Sequence, residues 1–198
     1  MARTESTMLE LGTKAPEFRL PDVVSGRTVS PGDFADAKAL LVMFICSHCP
    51  FVKHVEGELA RIGRDYADSG LAIVAISSND AESHPDDAPA GLREQAERLG
   101  FSFPYCYDES QEVARAYRAA CTPDLYLFDA DRKLVYRGQL DGSRPGNDLP
   151  VTGADLRAAL DAALAGEAIP AEQRPSIGCN IKWKSGNEPD YYGTGAAS

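Results

Sequence analysis

An apolar segment followed by a pair of cysteines is the feature that most constrains the fold of this chain. Residues Ala39 to Ile45 form an unbroken apolar run, which is typical of a strand buried on both faces of a sheet. The sequence Cys-Ser-His-Cys-Pro follows directly at residues 46–50. From Val52 to Tyr66, apolar residues recur at steps of three and four, which predicts an amphipathic helix. The stretch therefore predicts a strand, a turn with two cysteines and a helix in direct succession.

Two cysteines separated by two residues at the start of a helix favour redox chemistry. Unpaired amides at a helix N-terminus stabilise a thiolate. We expect Cys46 to have a lower thiol pKa than Cys49, because it comes first and lies beside His48, whose imidazolium can sit next to the sulfur. Pro50 suits this position, since a proline in the first helical turn loses no intrahelical hydrogen bond. The turn thus predicts a dithiol that cycles with a disulfide.

Two other uses of such a pair stay open. Structural zinc sites usually need a second cysteine pair or two close histidines, and the other three cysteines lie far apart in the sequence. His54 could join Cys46 and Cys49 from the next helical turn and complete a metal site. The two cysteines could also be buried as small apolar side chains. Redox activity without a metal is the function that we expect.

Charge and composition narrow the classes of function. Thirty acidic and twenty basic residues give the 198-residue chain a formal net charge of −10, which repels phosphate backbones and anionic membrane surfaces. No apolar stretch is long enough for a membrane helix, and the first seven residues lack the hydrophobic core of a signal peptide. We therefore expect a cytoplasmic protein that binds neither nucleic acid nor membrane. Thiols stay reduced in that compartment, so the cysteine pair is expected to be catalytic rather than structural.

The rest of the chain predicts a single α/β domain. Leu71 to Ile76 is a second apolar run, and the order strand, helix, strand predicts a right-handed parallel crossover. Leu125–Phe128 and Leu134–Leu140 are joined by a polar turn and predict an antiparallel hairpin. Further helices are expected over residues 90–99, 111–119 and 154–164.

The two ends of the chain are expected to lie outside this domain. Residues 1–13 are small and polar and predict a flexible N-terminal arm, and residues 171–198 form a C-terminal tail. The domain then spans residues 14–170. It begins with two short extended pieces around Ser25 and Gly26, which predict a hairpin before the main sheet.

This order of elements resembles the thioredoxin fold. Ala-Pro-Glu-Phe at residues 15–18, with its hairpin, resembles the start of the redoxin branch, which includes alkyl hydroperoxide reductases and thiol-specific antioxidants (the AhpC/TSA family). CSHCPFVKH at residues 46–54 and PSIGCNIKW at residues 175–183 resemble a peroxiredoxin-like subgroup of bacterial thioredoxin-family proteins. The resemblance covers nearly the whole chain. It implies an α/β thioredoxin-like fold, with a central mixed sheet flanked by helices and an N-terminal hairpin extension.

The resemblance also implies roles for individual residues. Cys46 matches the exposed nucleophile, Cys49 the resolving thiol and Pro123 the cis-proline that faces the disulfide. An ordinary loop proline before a strand is the alternative for Pro123. No bound cofactor is implied, and electrons would come from an external reducing system. Supporting roles at the active site fall to Ser47, His48, Pro50 and Thr122.

Two departures from the family patterns bear on the mechanism. Leu40 and Leu41 occupy the strand region where thioredoxins bury a carboxylate, so the usual proton acceptor is missing and His48 or water must take the proton of Cys49. Cys49 aligns with the peroxide-attacking cysteine of peroxidases, but Cys46 replaces the threonine three residues earlier and the expected arginine is not evident. Both substitutions favour disulfide exchange over peroxide reduction.

Cys121 and Cys179 are candidate accessory thiols. Cys121 lies next to the predicted cis-proline but is expected to be a buried small residue. For Cys179, a relay thiol and simple packing of the tail are equal alternatives. His84, far from any nucleophile in the sequence, is expected at the surface.

The predicted function is thiol–disulfide exchange with a disulfide-containing protein or a small-molecule thiol or disulfide. A thiol-dependent peroxidase is the nearest rival, and a non-catalytic metal-binding or interaction protein is the rival from another class.

Overall fold

A computed structural model describes residues 3–193 of the chain. Residues 1, 2 and 194–198, at the ends of the predicted arm and tail, lie outside the described residues. The strands are β1 (Arg3–Glu5), β2 (Leu20–Pro21), β3 (Thr28–Val29), β4 (Ala39–Phe44), β5 (Leu71–Ser77), β6 (Tyr105–Tyr107), β7 (Cys121–Thr122), β8 (Asp124–Phe128), β9 (Leu134–Arg137) and β10 (Ile177–Asn180). The α-helices are α1 (Pro50–Asp65), α2 (Pro89–Leu99), α3 (Glu112–Ala116) and α4 (Ala154–Ala165), and 3-10 turns lie at Pro31–Phe34 and Pro85–Asp87.

Five strands form the main sheet in the order β6-β5-β4-β8-β9. β4 is parallel to β5, and β5 is parallel to β6. β8 is antiparallel to both of its neighbours, β4 and β9. This mixed sheet confirms the predicted α/β class, the parallel crossover through α1 and the hairpin of β8 with β9. Because β4 is the central strand, the segment that follows it emerges over the middle of the sheet edge.

Burial of both faces explains the unbroken apolar sequence of β4. Leu41 and Met43 face the cluster that includes α1 and α4, and Leu40, Val42 and Phe44 face a second cluster with several aromatic rings. Each of these side chains is at most 1% exposed. Burying a side chain of this size contributes about 1.5 to 3 kcal/mol relative to leaving it in water, so β4 anchors the whole domain.

Helix α1 begins at the second cysteine of the motif. Cys49 is the N-cap in an extended conformation and Pro50 occupies the first turn, as the sequence predicts. The helix buries one stripe of apolar side chains on the sheet: Val52, Val55, Leu59 and Ile62. The strand and the helix therefore hold the intervening turn from both sides.

The N-terminal hairpin is present as predicted. Leu20 of β2 pairs with Val29 of β3 in an antiparallel ladder. Asp22 shapes the turn by accepting hydrogen bonds from the backbone amides of Val24 and Ser25, and Gly26 takes a positive φ of 72°. The hairpin is tied to the main sheet, because the Asp22 carboxylate also accepts the amide of Tyr105 in β6.

The predicted arm and one predicted helix differ from the structure. β1 pairs with β10, and β10 pairs with β7, so residues 3–5 belong to a three-stranded sheet instead of a flexible arm. The amide of Ser6 extends the contact by donating to Ser176. The helix predicted over residues 111–119 is shortened to α3, because Gln111 before it and Arg118 after it have positive φ angles. None of the helices within residues 3–193 combines the length and the hydropathy needed to span a bilayer.

Candidate active site

Both cysteines of the motif lie at the end of β4 that faces the start of α1. Cys46 and Cys49 are each 0% exposed, whereas Pro50 is exposed and Ser47 and His48 are half-buried. The exposed nucleophile that the resemblance implies at Cys46 is therefore not observed. The backbone just before Cys46 is still bonded to the sheet, since the amide of Ile45 donates to the carbonyl oxygen of Ile76. This bond holds Cys46 below the surface.

The Thr122–Pro123 peptide bond is cis, as predicted, and it faces the cysteine pair. Cys46 Sγ lies 3.4 Å from Thr122 Oγ1. Cys49 Sγ lies 3.2 Å from the Thr122 carbonyl oxygen, which accepts a hydrogen bond when the thiol carries its proton. Thr122 thus contacts both sulfurs through two different groups.

A third thiol, that of Cys179, joins the pair from β10. Cys179 is opposite Thr122 in the ladder between β10 and β7. Its neighbour Gly178 makes this close approach feasible, because a Cβ there would lie only 2.0 Å from the Thr122 carbonyl oxygen. The side chain of Cys179 hydrogen-bonds with that of Cys49, so three sulfurs meet beside Thr122.

Cys121 does not belong to this group, although it is adjacent to Thr122 in sequence. Its Sγ is directed to the carbonyl oxygens of Pro123 and Ser176, at 3.5 and 3.9 Å. Complete burial raises the pKa of the Cys121 thiol well above its usual range, and the nearby Asp124 adds to this. Its surroundings are those of a buried structural cysteine.

The surroundings of the pair reverse the predicted order of the two pKa values. Hydrogen bonds from the thiols of Cys179 and then Cys46 lower the pKa of Cys49 to about 2, and the backbone amide of Val52 in the first turn of α1 contributes. Burial raises the pKa of Cys46 well above its usual range, with further increases from Cys49 and from the negative charge of Asp87. The second cysteine rather than the first is the N-cap of the helix, so its sulfur is the one that also receives the Val52 amide.

A buried carboxylate, absent from the sequence prediction, stands beside the motif. Asp87 is 0% exposed and its Oδ1 accepts the backbone amides of Ser47 and His48 at 2.8 and 3.2 Å. Its Oδ2 accepts the side-chain amide of Asn79 at 2.7 Å and lies 2.5 Å from Nδ1 of His48. Burial raises the pKa of Asp87, but the hydrogen bonds from His48 and Asn79 outweigh it and hold the pKa below its usual value.

His84 also differs from its expected surface position. Its ring packs on that of His48, with centroids 4.8 Å apart and an angle of 31° between the planes. Burial is the main cause that lowers the pKa of His84, and the charge of His48 is the next. The loop from residue 77 to residue 89, which carries no recognisable motif, therefore supplies Asp87 and His84 to the site.

The donor atoms near Cys46 bear on the metal-binding alternative. Within residues 3–193, Cys46, His48 and Asp87 place one potential ligand atom each within 4.8 Å of one another, and His54 does not belong to this group. Both oxygens of Asp87 already accept hydrogen bonds, three at Oδ1 and two at Oδ2. A cation at this group would compete with these donors for the oxygens of Asp87.

Comparison with known proteins identifies the family of this chain. The model of the AhpC/TSA family matches residues 11–137. The chain belongs to the AhpC/TSA family. A Mycobacterium tuberculosis protein described as a putative peroxiredoxin is 28% identical over 123 residues, which cover 62% of this chain and 73% of the relative. Thiol-disulfide oxidoreductase ResA of Geobacillus thermodenitrificans is 25% identical over 131 residues, covering 66% and 70%. The AhpC/TSA protein is thus an oxidoreductase enzyme of the class that acts on thiols and disulfides.

Solved structures confirm the thioredoxin-like fold of this AhpC/TSA protein. The crystal structure of an uncharacterized conserved protein from Geobacillus kaustophilus has a TM-score of 0.91 and 57% identity, covering 93% of this chain and 97% of that chain. The solution structure of a putative thioredoxin from Neisseria meningitidis has a TM-score of 0.60 and 23% identity, covering 77% and 91%. The second similarity, at this low identity, concerns the fold alone.

Proposed function

We propose that this protein is a thiol–disulfide oxidoreductase whose redox-active pair is Cys46 and Cys49. The observation that carries the proposal is the convergence of thiols on Cys49, which accepts hydrogen bonds from Cys46 and Cys179. A thiolate with an adjacent thiol is what disulfide exchange requires. The substrates are disulfide-containing proteins or small thiols and disulfides, and a separate reducing system regenerates the dithiol.

The proposed reaction has two steps. The Cys49 thiolate attacks one sulfur of the substrate disulfide, a mixed disulfide forms, and the first substrate thiolate leaves. Cys46 then loses its proton and attacks Cys49 Sγ, which forms the Cys46–Cys49 disulfide and releases the second substrate thiol. These roles are the reverse of those that the sequence suggests, because the pKa order favours Cys49 as the first nucleophile.

The neighbouring residues support the pair in this proposal. Thr122, held next to Pro123, contacts both sulfurs, and Pro50 begins the helix whose amides face Cys49. Ser47 and His48 fix the turn by hydrogen bonds to Asp87. Cys179 is an accessory thiol that can exchange with Cys49, whereas Cys121 has a packing role. A reducing compartment such as the cytoplasm suits a buried dithiol that must stay reduced.

Covalent trapping tests the proposal and the order of attack. A Cys46→Ser/Cys179→Ser variant removes both thiols next to Cys49, so its mixed disulfides should persist and be released only by a reductant. Cys49→Ser should trap nothing, and Cys106→Ser, which changes a buried cysteine elsewhere in the core, should turn over like the parent. Adducts on the Cys49→Ser variant would restore Cys46 as the first nucleophile. The absence of adducts on both variants would refute disulfide exchange.

A peroxidase is the second candidate, favoured by the low pKa of Cys49 at a helix start and by the peroxiredoxin-like relative. Stopped-flow oxidation of the reduced protein by hydrogen peroxide, measured beside insulin-disulfide reduction, separates the two activities. We expect insulin reduction with turnover and a peroxide rate close to that of an ordinary low-pKa thiol. A peroxide rate orders of magnitude above that of a free thiolate, without insulin reduction, would assign the function to the peroxidase. Metal analysis of anaerobically purified protein tests the metal-binding rival.

A further inference from the structure

We propose that His48, held by Asp87, is the base that removes the proton from Cys46 when this thiol resolves the mixed disulfide. The inference rests on the proposed function, because it assigns the proton of the second step. Thioredoxins bury a carboxylate in the strand region that Leu40 and Leu41 fill here. In this chain the same task would fall to the imidazole of His48, in the motif, and to the carboxylate of Asp87, in the loop before α2.

Cys46 needs a base because it is buried and protonated when the first step ends. Its side chain is 0% exposed, so bulk water does not reach the sulfur in this arrangement. Thr122 Oγ1, at 3.4 Å, belongs to a hydroxyl that cannot serve as a base near neutral pH. The hydroxyl of Tyr105 already donates to Gln95, and burial raises its pKa well above the usual range. Within residues 3–193, His48 and Asp87 form a titratable pair beside Cys46.

The geometry of that pair leaves one nitrogen of the imidazole available. A carboxylate accepts hydrogen bonds, so Nδ1 of His48, 2.5 Å from Asp87 Oδ2, carries the proton and Nε2 keeps a lone pair. Nε2 is buried and, across residues 3–193, the structure gives it no hydrogen-bond partner. A ring nitrogen of His48, a carboxylate oxygen of Asp87 and Cys46 Sγ all lie within 4.8 Å of one another. The imidazole is thus a close neighbour of the thiol, and proton transfer requires a movement of the ring that brings Nε2 to Cys46 Sγ.

The carboxylate is fixed before the reaction begins. Two backbone amides of the turn and the Asn79 side chain hold Asp87, so it does not need to reorganise as positive charge develops on the imidazole. The buried carboxylate also keeps the tautomer that leaves Nε2 without a proton. The same charge raises the pKa of Cys46 at rest, so Asp87 keeps the resolving thiol protonated until His48 accepts its proton.

Other charged groups also face the imidazole. The ring of His84 covers one side of His48, and positive charge on either ring disfavours positive charge on the other. Lys182, which follows β10, lowers the pKa of His84, while Asp80 and Asp87 act in the opposite direction. His84 therefore shields the ring from water and is expected to stay neutral when His48 takes up the proton.

The proton and the electrons balance within the second step. Cys46 gives its proton to Nε2 of His48, and the new thiolate attacks Cys49 Sγ. The bond from Cys49 to the substrate sulfur breaks as the Cys46–Cys49 bond forms, and the leaving substrate thiolate takes the proton from His48. The substrate disulfide is reduced, the dithiol is oxidised, and no further oxidant or reductant is needed.

The test uses a disulfide whose two halves are released as coloured thiolates, 5,5′-dithiobis(2-nitrobenzoate). The first release reports attack by the Cys49 thiolate, and the second reports resolution by Cys46. We expect His48→Gln to leave the first phase within about twofold of wild type and to slow the second at least tenfold, within the range of general base catalysis. The second phase of this variant should recover at high pH, as Cys46 ionises without help. His54→Gln is the matched control.

The outcomes of this assay decide whether His48 is the base for Cys46. Equal slowing of both phases in His48→Gln would mean that the residue only supports the turn, and an unchanged second phase would exclude it as the base. Peptide mapping of the oxidised protein should identify the Cys46–Cys49 disulfide, and a Cys49–Cys179 disulfide in its place would also overturn the assignment. If the wild type releases no coloured thiolate, the proposed function itself fails, which this assay distinguishes from failure of the relay.

Discussion

Replacing Gly178 with alanine tests whether β10 holds Cys179 against the redox pair. The added Cβ would lie 2.0 Å from the carbonyl oxygen of Thr122, 2.6 Å from its carbonyl carbon and 3.2 Å from the nitrogen of Pro123. All three are backbone atoms, so no change of rotamer relieves the contact. Carbon and oxygen atoms pack at roughly 3.5 Å, and β10 would have to retreat from β7 by about 1.5 Å.

That displacement has two measurable costs. Overpacking of a buried contact lowers the free energy of unfolding by about 1 to 3 kcal/mol, and lost ladder hydrogen bonds add to this. Cys179 moves away with the strand, so Cys49 loses the hydrogen bond that most lowers its pKa. A hydrogen bond to a charged group is worth about 1.5 to 3 kcal/mol, which corresponds to a rise of about 1 to 2 units in the pKa of Cys49.

Urea denaturation and titration of the thiolate absorbance measure these effects on the same samples. Gly57→Ala is the matched control, because a Cβ at Gly57 in α1 meets no atom within 4 Å. It should stabilise the protein by about 0.5 to 1 kcal/mol through helix propensity and leave the titration of Cys49 unchanged. If Gly178→Ala matches the wild type in both stability and titration, the close packing of β10 on Thr122 and its influence on Cys49 are refuted.

Three further predictions concern stability in urea denaturation. Burial raises the pKa of Asp124 from 3.8 to about 6, so the contribution of the protonated carboxyl to the free energy of unfolding is complete below pH 3.8 and is lost as the pH rises through 6. Between pH 4 and 7 the wild type should therefore lose about 3 kcal/mol of stability relative to Asp124→Asn. Parallel pH profiles of the two proteins would contradict the raised pKa. Arg157→Met leaves the carboxylate of Glu58, 2% exposed, without one of its two arginines and should cost about 1 to 3 kcal/mol, whereas Arg93→Met, from an exposed pair, should change little. Met43→Ala in the centre of β4 should cost about 2 to 5 kcal/mol, and a smaller loss would mean that the core closes around the cavity.

Local patterns in the sequence predict the elements that carry the cysteine pair. The run from Ala39 to Ile45, the helical spacing after Pro50 and the turn before Leu134 each record burial or backbone geometry within a few neighbouring residues. Such signals are read without knowledge of the fold. The strand, α1 and the hairpin of β8 with β9 are therefore found within a few residues of their predicted bounds.

The contacts that set the chemistry come from distant segments and leave no local pattern. Asp87 is one of several acidic residues in a polar loop, and its burial depends on a 3-10 turn that brings it to the amides of Ser47 and His48. β1 and β10 are strands of three and four residues, too short for a clear alternation of apolar and polar positions. The position of Cys179, and with it the pKa order of the pair, depends on their pairing.

The three-stranded sheet also sets the order in which the redox centre comes together during synthesis. Cys179 is made 130 residues after Cys49 (179 − 49), on a strand that must pair with both β1 and β7. Until then, Cys49 lacks the neighbour that most lowers its pKa. The nascent chain thus carries Cys49 without its strongest thiol donor until β10 has been made and has paired.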